Sequence, residues 1–234
     1  MRVLVIIPAY NEEESLGSVI EETREHLPFA DVVVVNDGSL DSTSRIAEEK
    51  GVFLLNLPYN LGIGTAMQTG YIFADENDYD IAVQIDGDGQ HDPSEAMGII
   101  GPVLEEKADV VIGSRYLEER GYKTPLARRV GIALFSSYIS LIVRRRITDP
   151  TSGFRAANRQ AIRFLSRDYP SDYPEPEAVV LLHRNGFRIL EVPITMRERR
   201  GGRSSITFLR ACYYMIKVSL AIFIGLFRRV GNGD

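Results

Sequence analysis

Short apolar runs alternate with segments of helical periodicity through the first half of the chain, and this alternation restricts the fold more than any other feature. Val3 to Ile7 is uninterrupted and of strand length, the pattern of a strand buried on both faces. Asp31 to Val35, Val52 to Leu57 and Ala108 to Arg115 are further strand-length runs, and Ile81, Val83 and Ile85 alternate with Ala82 and Gln84 at the period of a strand. Helical stretches fill the intervals. One runs from Asn11, a good N-cap with acidic residues behind it, to about Leu27. A second runs from Asp41 to Lys50, closed by Gly51 where a left-handed residue suits a helix end. A third follows Asn60-Leu61-Gly62-Ile63-Gly64 and ends near Asp75, and a fourth spans Pro93 to Lys107. Strands alternating with helices predict an α/β fold with a mostly parallel sheet covered on both faces. At 234 residues the chain suits one large domain, or one domain with an appendage.

Open α/β sheets bind ligands at the carboxyl ends of their strands. Tyr10, Glu12, Asp37, Asp86, Asp88 and Arg115 all follow such ends, so the fold can bring them to one site. The strongest chemical signal is Asp86-Gly87-Asp88-Gly89-Gln90. In an extended segment, residues two apart face the same side. Two carboxylates so placed repel unless a cation sits between them. A hard divalent ion fits, since Mg²⁺ commonly takes one or two carboxylates together with diphosphate oxygens. Gln90 adds a neutral oxygen, and the flanking glycines let a ligand approach the backbone. Asp-Gly pairs also make ordinary polar turns. His91 reads as a polar residue at a helix entry. Gly62-x-Gly64 departs from the dinucleotide fingerprint because the next glycine is Gly70, which argues against a dehydrogenase.

A net charge of −5 argues against a general nucleic-acid binder, although basic residues gather from Arg128 to Arg146 and from Arg197 to Arg203. The single cysteine, Cys212, excludes an internal disulfide and a cysteine-based zinc site, and points to a reduced, cytosolic setting. Met1 to Pro8 is a short apolar run cut by proline, so it reads as a first strand and not as a signal peptide.

Six segments, in order, resemble the family 2 glycosyltransferases of the GT-A (Rossmann-like) fold, in particular the dolichol- and polyprenyl-phosphate sugar synthases. They are residues 7–12 (Ile-Pro-Ala-Tyr-Asn-Glu), 35–41 (Val-Asn-Asp-Gly-Ser-Leu-Asp), 60–62 (Asn-Leu-Gly), 86–90, 113–116 (Gly-Ser-Arg-Tyr) and 149–155 (Asp-Pro-Thr-Ser-Gly-Phe-Arg). The resemblance covers about residues 3–205. It implies a catalytic domain over residues 1–205 and a C-terminal apolar helix with a tail over 206–234. It also implies a nucleotide-diphosphate-sugar site made by Pro8, Ala9, Tyr10, Glu12, Val35, Asp37, Asp86, Gly87, Asp88, Gln90, Arg115 and Arg199. Asp86, Asp88 and Gln90 are the implied holders of Mg²⁺ or Mn²⁺. Asp88, Arg115, Arg199 and Glu177 are the implied catalytic residues. Transfer would proceed with inversion, to a polyprenyl phosphate, at the cytoplasmic membrane face. Ser205 stands where the GDP-mannose enzymes resembling this stretch carry lysine, so their donor specificity does not carry over.

Two segments bear on the acceptor. Val130 to Val143, between Arg128-Arg129 and Arg144-Arg145-Arg146, spans about 21 Å at ~1.5 Å per residue. That is short of a ~30 Å hydrocarbon core, so a core or interfacial helix is expected. Its basic flanks suit anionic headgroups or an acceptor phosphate, with Arg128 or Arg129 as the candidate contact. Ile206 to Phe227 is long enough to cross a membrane, but Arg210, Lys217 and Arg228 mark one helical face. That stripe favours a monotopic helix lying in the interface; a core-packed helix fits the same periodicity. Two alternatives stand beside transfer to a lipid phosphate. One is transfer to a glycan hydroxyl with Glu177 as base. The other is a non-catalytic nucleotide-sugar-binding subunit.

Overall fold

A computed structural model describes residues 1–118, 126–171, 174–197, 217–220 and 222–223, with the backbone alone for 126–130. Strands β1 (Val3–Ala9), β2 (Asp31–Asn36), β3 (Phe53–Asn56), β4 (Ile81–Gln84), β5 (Val110–Ser114), β6 (Arg155–Asn158) and β7 (Ile189–Pro193) form one sheet in the order β3-β2-β1-β4-β6-β5-β7. Pairing is parallel except at β6, which runs antiparallel to both β4 and β5. Helices α1 (Leu16–His26), α2 (Thr43–Glu49), α3 (Ile63–Glu76), α4 (Ala96–Leu104), α5 (Leu126–Val143), α6 (Arg159–Arg167) and α7 (Pro174–Arg184) flank it. The mostly parallel α/β expectation holds.

The unbroken apolar run of β1 is explained by its two buried faces. Leu4 and Ile6 pack with Met67 and Tyr71 of α3 in one core, together with Phe135, Ile139 and Val143 of α5. Val3, Val5 and Ile7 pack with Leu16 and Ile20 of α1 and with Ile99 and Ile100 of α4 in the other. At ~1.5–3 kcal/mol for each fully buried large aliphatic side chain, β1 anchors both cores at once. Val218 and Ile222, in the C-terminal helical segment, are buried in the first of these cores.

Three local expectations change. Asn11 is not a helix N-cap: it has a left-handed φ of 54°, and α1 begins only at Leu16. Residues 11–13 are spent elsewhere. Asn11 N–H donates to Ser39 Oγ (2.9 Å), Glu12 N–H to Thr43 Oγ1 (2.9 Å) and Glu13 N–H to Asp41 Oδ2 (3.1 Å). Leu40 N–H and Ser42 N–H donate back to Asn11 Oδ1 and Glu13 Oε2. The loops after β1 and β2 are thereby zipped together. The helix expected over Pro93 to Lys107 divides into a 3₁₀ turn, Pro93–Glu95, and α4. Strand β6, for which the sequence carries no signal, is the antiparallel insertion that joins the two halves of the sheet.

Candidate active site

β2, β1 and β4 lie side by side and parallel, so the loops leaving their carboxyl ends share one edge of the sheet. There they enclose a cleft of about 370 Å³ lined by Pro8, Ala9, Tyr10, Glu12, Asp37, Asn60, Gly62, Ile63, Ala66, Asp86, Gly87 and Asp88. Its walls are fixed by hydrogen bonds between loops. Asp37, buried, accepts from Leu61 N–H (2.8 Å) and Gly62 N–H (2.9 Å) and so draws the 60–62 loop over the cleft. Gly62 takes a φ of +92° there, a conformation a side chain resists. Ser15, buried, donates its hydroxyl to Gly87 O (2.7 Å), with Glu12 Oε2 also within reach at 3.1 Å, tying the start of α1 to the Asp86-Gly87-Asp88 turn.

Asp86 and Asp88 both line the cleft, but a turn brings them together and not an extended strand, because β4 stops at Gln84. Gln84 Nε2 donates to Asp86 Oδ1 (3.0 Å), and Gln90 N–H donates to Asp88 Oδ1 (3.0 Å). Gly153 lies against the same carboxylate: a Cβ there would meet Gln84 Nε2 at 2.7 Å and Asp86 Oδ2 at 3.2 Å. Among the described residues no three His, Cys, Asp or Glu side chains converge as a metal cluster. Two oriented carboxylates beside an open cleft still fit a hard cation whose remaining ligands come from substrate oxygens.

The far side of the site is held by buried ion pairing. Arg115, at the end of β5, binds Asp149 through Nε (2.6 Å) and Nη2 (2.7 Å), and Nη2 also donates to Thr151 Oγ1 (2.8 Å). Asp149 N–H and Thr148 N–H in turn donate to the Glu191 carboxylate of β7 at 2.8 and 2.7 Å. Burial pushes the Glu191 carboxyl up from its ordinary value, against these donors. Arg155 donates to the carbonyls of Ser152, Pro150 and Glu175, bracing the 150–155 turn against α7. Burial also pushes the Glu175 carboxyl up; Arg155 opposes the rise and Asp86 adds to it. Arg197 anchors the start of the basic segment. Its N–H donates to Gln90 O (2.9 Å), and its guanidinium pairs with Glu22 and Asp92. Ser94 and Arg197 hold the Asp92 carboxyl below its ordinary value despite its partial desolvation.

A sequence model of the family described as Glycosyl transferase family 2 matches residues 4–165, which include every residue lining the cleft. The chain belongs to glycosyl transferase family 2. It is a glycosyltransferase, and its curated relatives include enzymes named for sugar transfer to polyprenyl phosphates. An undecaprenyl-phosphate mannosyltransferase of Micrococcus luteus is 35% identical over 216 residues, covering 88% of each chain. A UDP-N-acetylglucosamine–dolichyl-phosphate N-acetylglucosaminyltransferase of Methanococcus voltae is 32% identical over 212 residues, covering 82% of this chain and 84% of that one. Among solved structures, glucosyl-3-phosphoglycerate synthase of Mycobacterium tuberculosis, in complex with Mn²⁺, UDP and phosphoglyceric acid, shares the fold with a TM-score of 0.72 at 22% identity. The match covers all of this chain and 80% of that one.

Within this glycosyltransferase the expected site residues divide. Pro8, Ala9, Tyr10, Glu12, Asp37, Asp86, Gly87 and Asp88 line the cleft together. Val35 does not: it is fully buried in the core with Ala66 and Met67. Gln90 is outside the lining, and its backbone serves Asp88 and Arg197. Arg115 is also outside the lining, in its buried pair with Asp149. Glu177 is half-buried in the first turn of α7, where the neighbouring Glu175 feels the Asp86 charge. Arg128 and Arg129 lie on α5, with side chains outside the description, and Arg199 lies outside the described residues. Asn60 and Gly62 line the cleft, and Gly153 lies against the Asp86 carboxylate, without having been expected as ligand contacts. Their signal was available, since all three sit in the 60–62 and 149–155 segments that carried the resemblance.

Proposed function

We propose that this glycosyltransferase moves a hexose from a nucleotide-diphosphate sugar to a polyprenyl phosphate, with inversion and with Mg²⁺ or Mn²⁺, at the cytoplasmic face of a membrane. The observation that carries the reading is the joint placement of Asp86 and Asp88 in the cleft that Tyr10, Glu12 and Asp37 also line. Asp86 and Asp88 would hold the cation, with Gln90 beside them, and the bound ion supplies charge stabilisation to the departing diphosphate. Tyr10, Glu12 and Asp37 define the nucleotide end. Arg199, two residues beyond the anchored Arg197, would supply further positive charge, while Arg115, forked onto Asp149, braces the wall behind the cleft. An oxygen of the acceptor phosphate bonds to the anomeric carbon as the bond from that carbon to the diphosphate breaks. The nucleoside diphosphate leaves with the bonding pair. The attacking phosphate is already ionised near neutral pH and needs no strong base. Arg128 or Arg129 would meet the acceptor phosphate.

Membrane contact is supported by the outer faces of two adjacent helical segments. Tyr138 Oη donates to Ser219 O (3.0 Å), joining α5 to the C-terminal segment. Their outward residues Leu134, Leu141, Leu220 and Phe223 are more than half exposed, and Arg144, Arg145 and Arg146 are exposed beside them. Apolar side chains next to cations suit an anionic interface. Among the described residues no helix is long and apolar enough to cross a membrane.

The test is turnover with a panel of nucleotide sugars, Mg²⁺ or Mn²⁺, and polyprenyl phosphate in detergent, beside a chelator control. Chelator-sensitive formation of a lipid-linked sugar is expected. Donor hydrolysis without lipid product would instead favour a hydroxyl acceptor. The placement of Glu175 and Glu177 in the first turn of α7, braced to the 150–155 turn through Arg155, is the observation on that side, because a hydroxyl needs a base. Under that second reading Glu177→Gln or Glu175→Gln abolishes transfer while donor binding survives. Under lipid-phosphate transfer both variants keep measurable turnover.

A further inference from the structure

His91 is almost wholly buried, at 1% exposure, where three loops meet. Its ring stacks on Phe154 of the 149–155 turn, with centroids 5.0 Å apart and planes 15° from parallel. Its backbone bridges to Met196, next to the Arg197 anchor. Its Nδ1 accepts the backbone N–H of Asp86 at 3.0 Å. A ring nitrogen that accepts an N–H carries no proton, so the proton of the neutral ring sits on Nε2. That Nε2 is buried without a hydrogen-bond partner. The Asp86 Oδ2 oxygen is 3.6 Å away, just beyond hydrogen-bond length.

The two groups differ in freedom. The imidazole is clamped by its stack and by its backbone bridge, whereas the Asp86 side chain is one-third exposed to the cleft. A small rotation of the carboxylate therefore closes the gap, and it satisfies a buried donor that is otherwise costly to leave unmade. We propose that His91, as the Nε2–H tautomer, is the positioning residue for Asp86: it holds the Asp86 backbone through Nδ1 and engages Oδ2 when the cleft is loaded. With Gln84 on Oδ1, the carboxylate is then oriented from both sides. The inference rests on the donor-site reading given above. Partners that orient a ligating carboxylate typically change metal affinity or activity by about 10–100-fold when removed.

The test pairs a spectroscopic readout with two variants. In ¹⁵N-resolved imidazole spectra of the intact protein, His91 is distinguished from His26 and His183 by its loss in His91→Gln. The Nε2–H form is expected, and an Nδ1–H form overturns the proposal without any variant having to bind ligand. Affinity for Mn²⁺ with UDP or GDP, whichever wild type binds, is then measured by titration calorimetry. His91→Phe keeps the ring stack and removes both polar contacts, so affinity should fall by about 10–100-fold. His91→Gln presents an acceptor and a donor and should recover most of it. Equal affinity in wild type and both variants overturns the role of His91 alone. Wild type binding neither nucleotide overturns the donor site, and the role of His91 with it.

Discussion

Strand β5 carries an arginine–aspartate pair at each of its ends, and the two pairs are built alike but placed differently. At the carboxyl end Arg115 forks onto Asp149, with side-chain exposures of 7% and 0%. At the amino end Asp109, just before the strand, takes Nε and Nη2 of Arg188 at 3.1 and 2.9 Å, but Arg188 is 55% exposed. The sheet also has a cavity at each of its two edges, where its parallel strands begin and where they end. The amino-end cavity, about 660 Å³ and lined by Asp109, Arg159 and Arg188 among others, is larger than the 370 Å³ cleft at the carboxyl end. Its guanidiniums are already occupied: Arg188 by Asp109 and the Glu106 carbonyl, Arg159 by Asp78 and the Tyr79 carbonyl. Size therefore does not mark the working end of this sheet. The carboxyl end is distinguished by two carboxylates held toward an open cleft, with the ion pairing kept behind them.

Four changes test that contrast. Asp149→Ala removes the carboxylate that the buried Arg115 forks onto, at a cost of about 3–5 kcal/mol. For a chain of this size that lowers Tm by roughly 6–20 °C. A loss as small as that of an exposed pair would break the distinction. Asp88→Ala should reduce turnover on the order of 10²-fold and abolish metal-dependent donor binding, while the melting curve stays cooperative. Unchanged metal-dependent binding would remove the central assignment. Asp37→Ala strands the Leu61 and Gly62 N–H groups, at about 1–3 kcal/mol. It should raise the donor KM more than it lowers kcat, and a pure kcat effect would contradict a loop-shaping role. Asp109→Asn should have the smallest effect, and one that depends on pH. The Arg188 hydrogen bonds hold the Asp109 carboxyl below its ordinary value. Its stabilisation is thus complete above the unfolded carboxylate range, near pH ~4, and is lost as pH falls through the lower folded value. In urea melts the gap between wild type and variant should shrink steadily below about pH 4; a gap that persists in acid would exclude the linkage.

Much of this was legible in the sequence. The five strands expected from apolar runs are β1 to β5, with ends shifted by a residue or two, and all five lie in the one sheet. Eight of the twelve expected donor-site residues, Pro8, Ala9, Tyr10, Glu12, Asp37, Asp86, Gly87 and Asp88, line the cleft. The misses have physical causes. β6, Arg-Ala-Ala-Asn, is short and lacks alternation, and becomes a strand only because β4 and β5 offer edges on either side. Asn11 has the chemistry of a helix cap, yet its amide and side chain go to Ser39 and Leu40 across the loop. Arg115 has the chemistry of a phosphate clamp, yet Asp149, far away in sequence, takes its fork.

Periodicity and residue type by themselves determined that a mostly parallel sheet forms and that acidic groups gather at its carboxyl edge, because both follow from local pattern and from the direction of the strands. Which polar groups remain available for a ligand was decided only in three dimensions. Hydrogen-bond partners such as Asp149 for Arg115, or His91 for the Asp86 amide, depend on which loops meet, and a polar group's chemistry is set by the partner it has found.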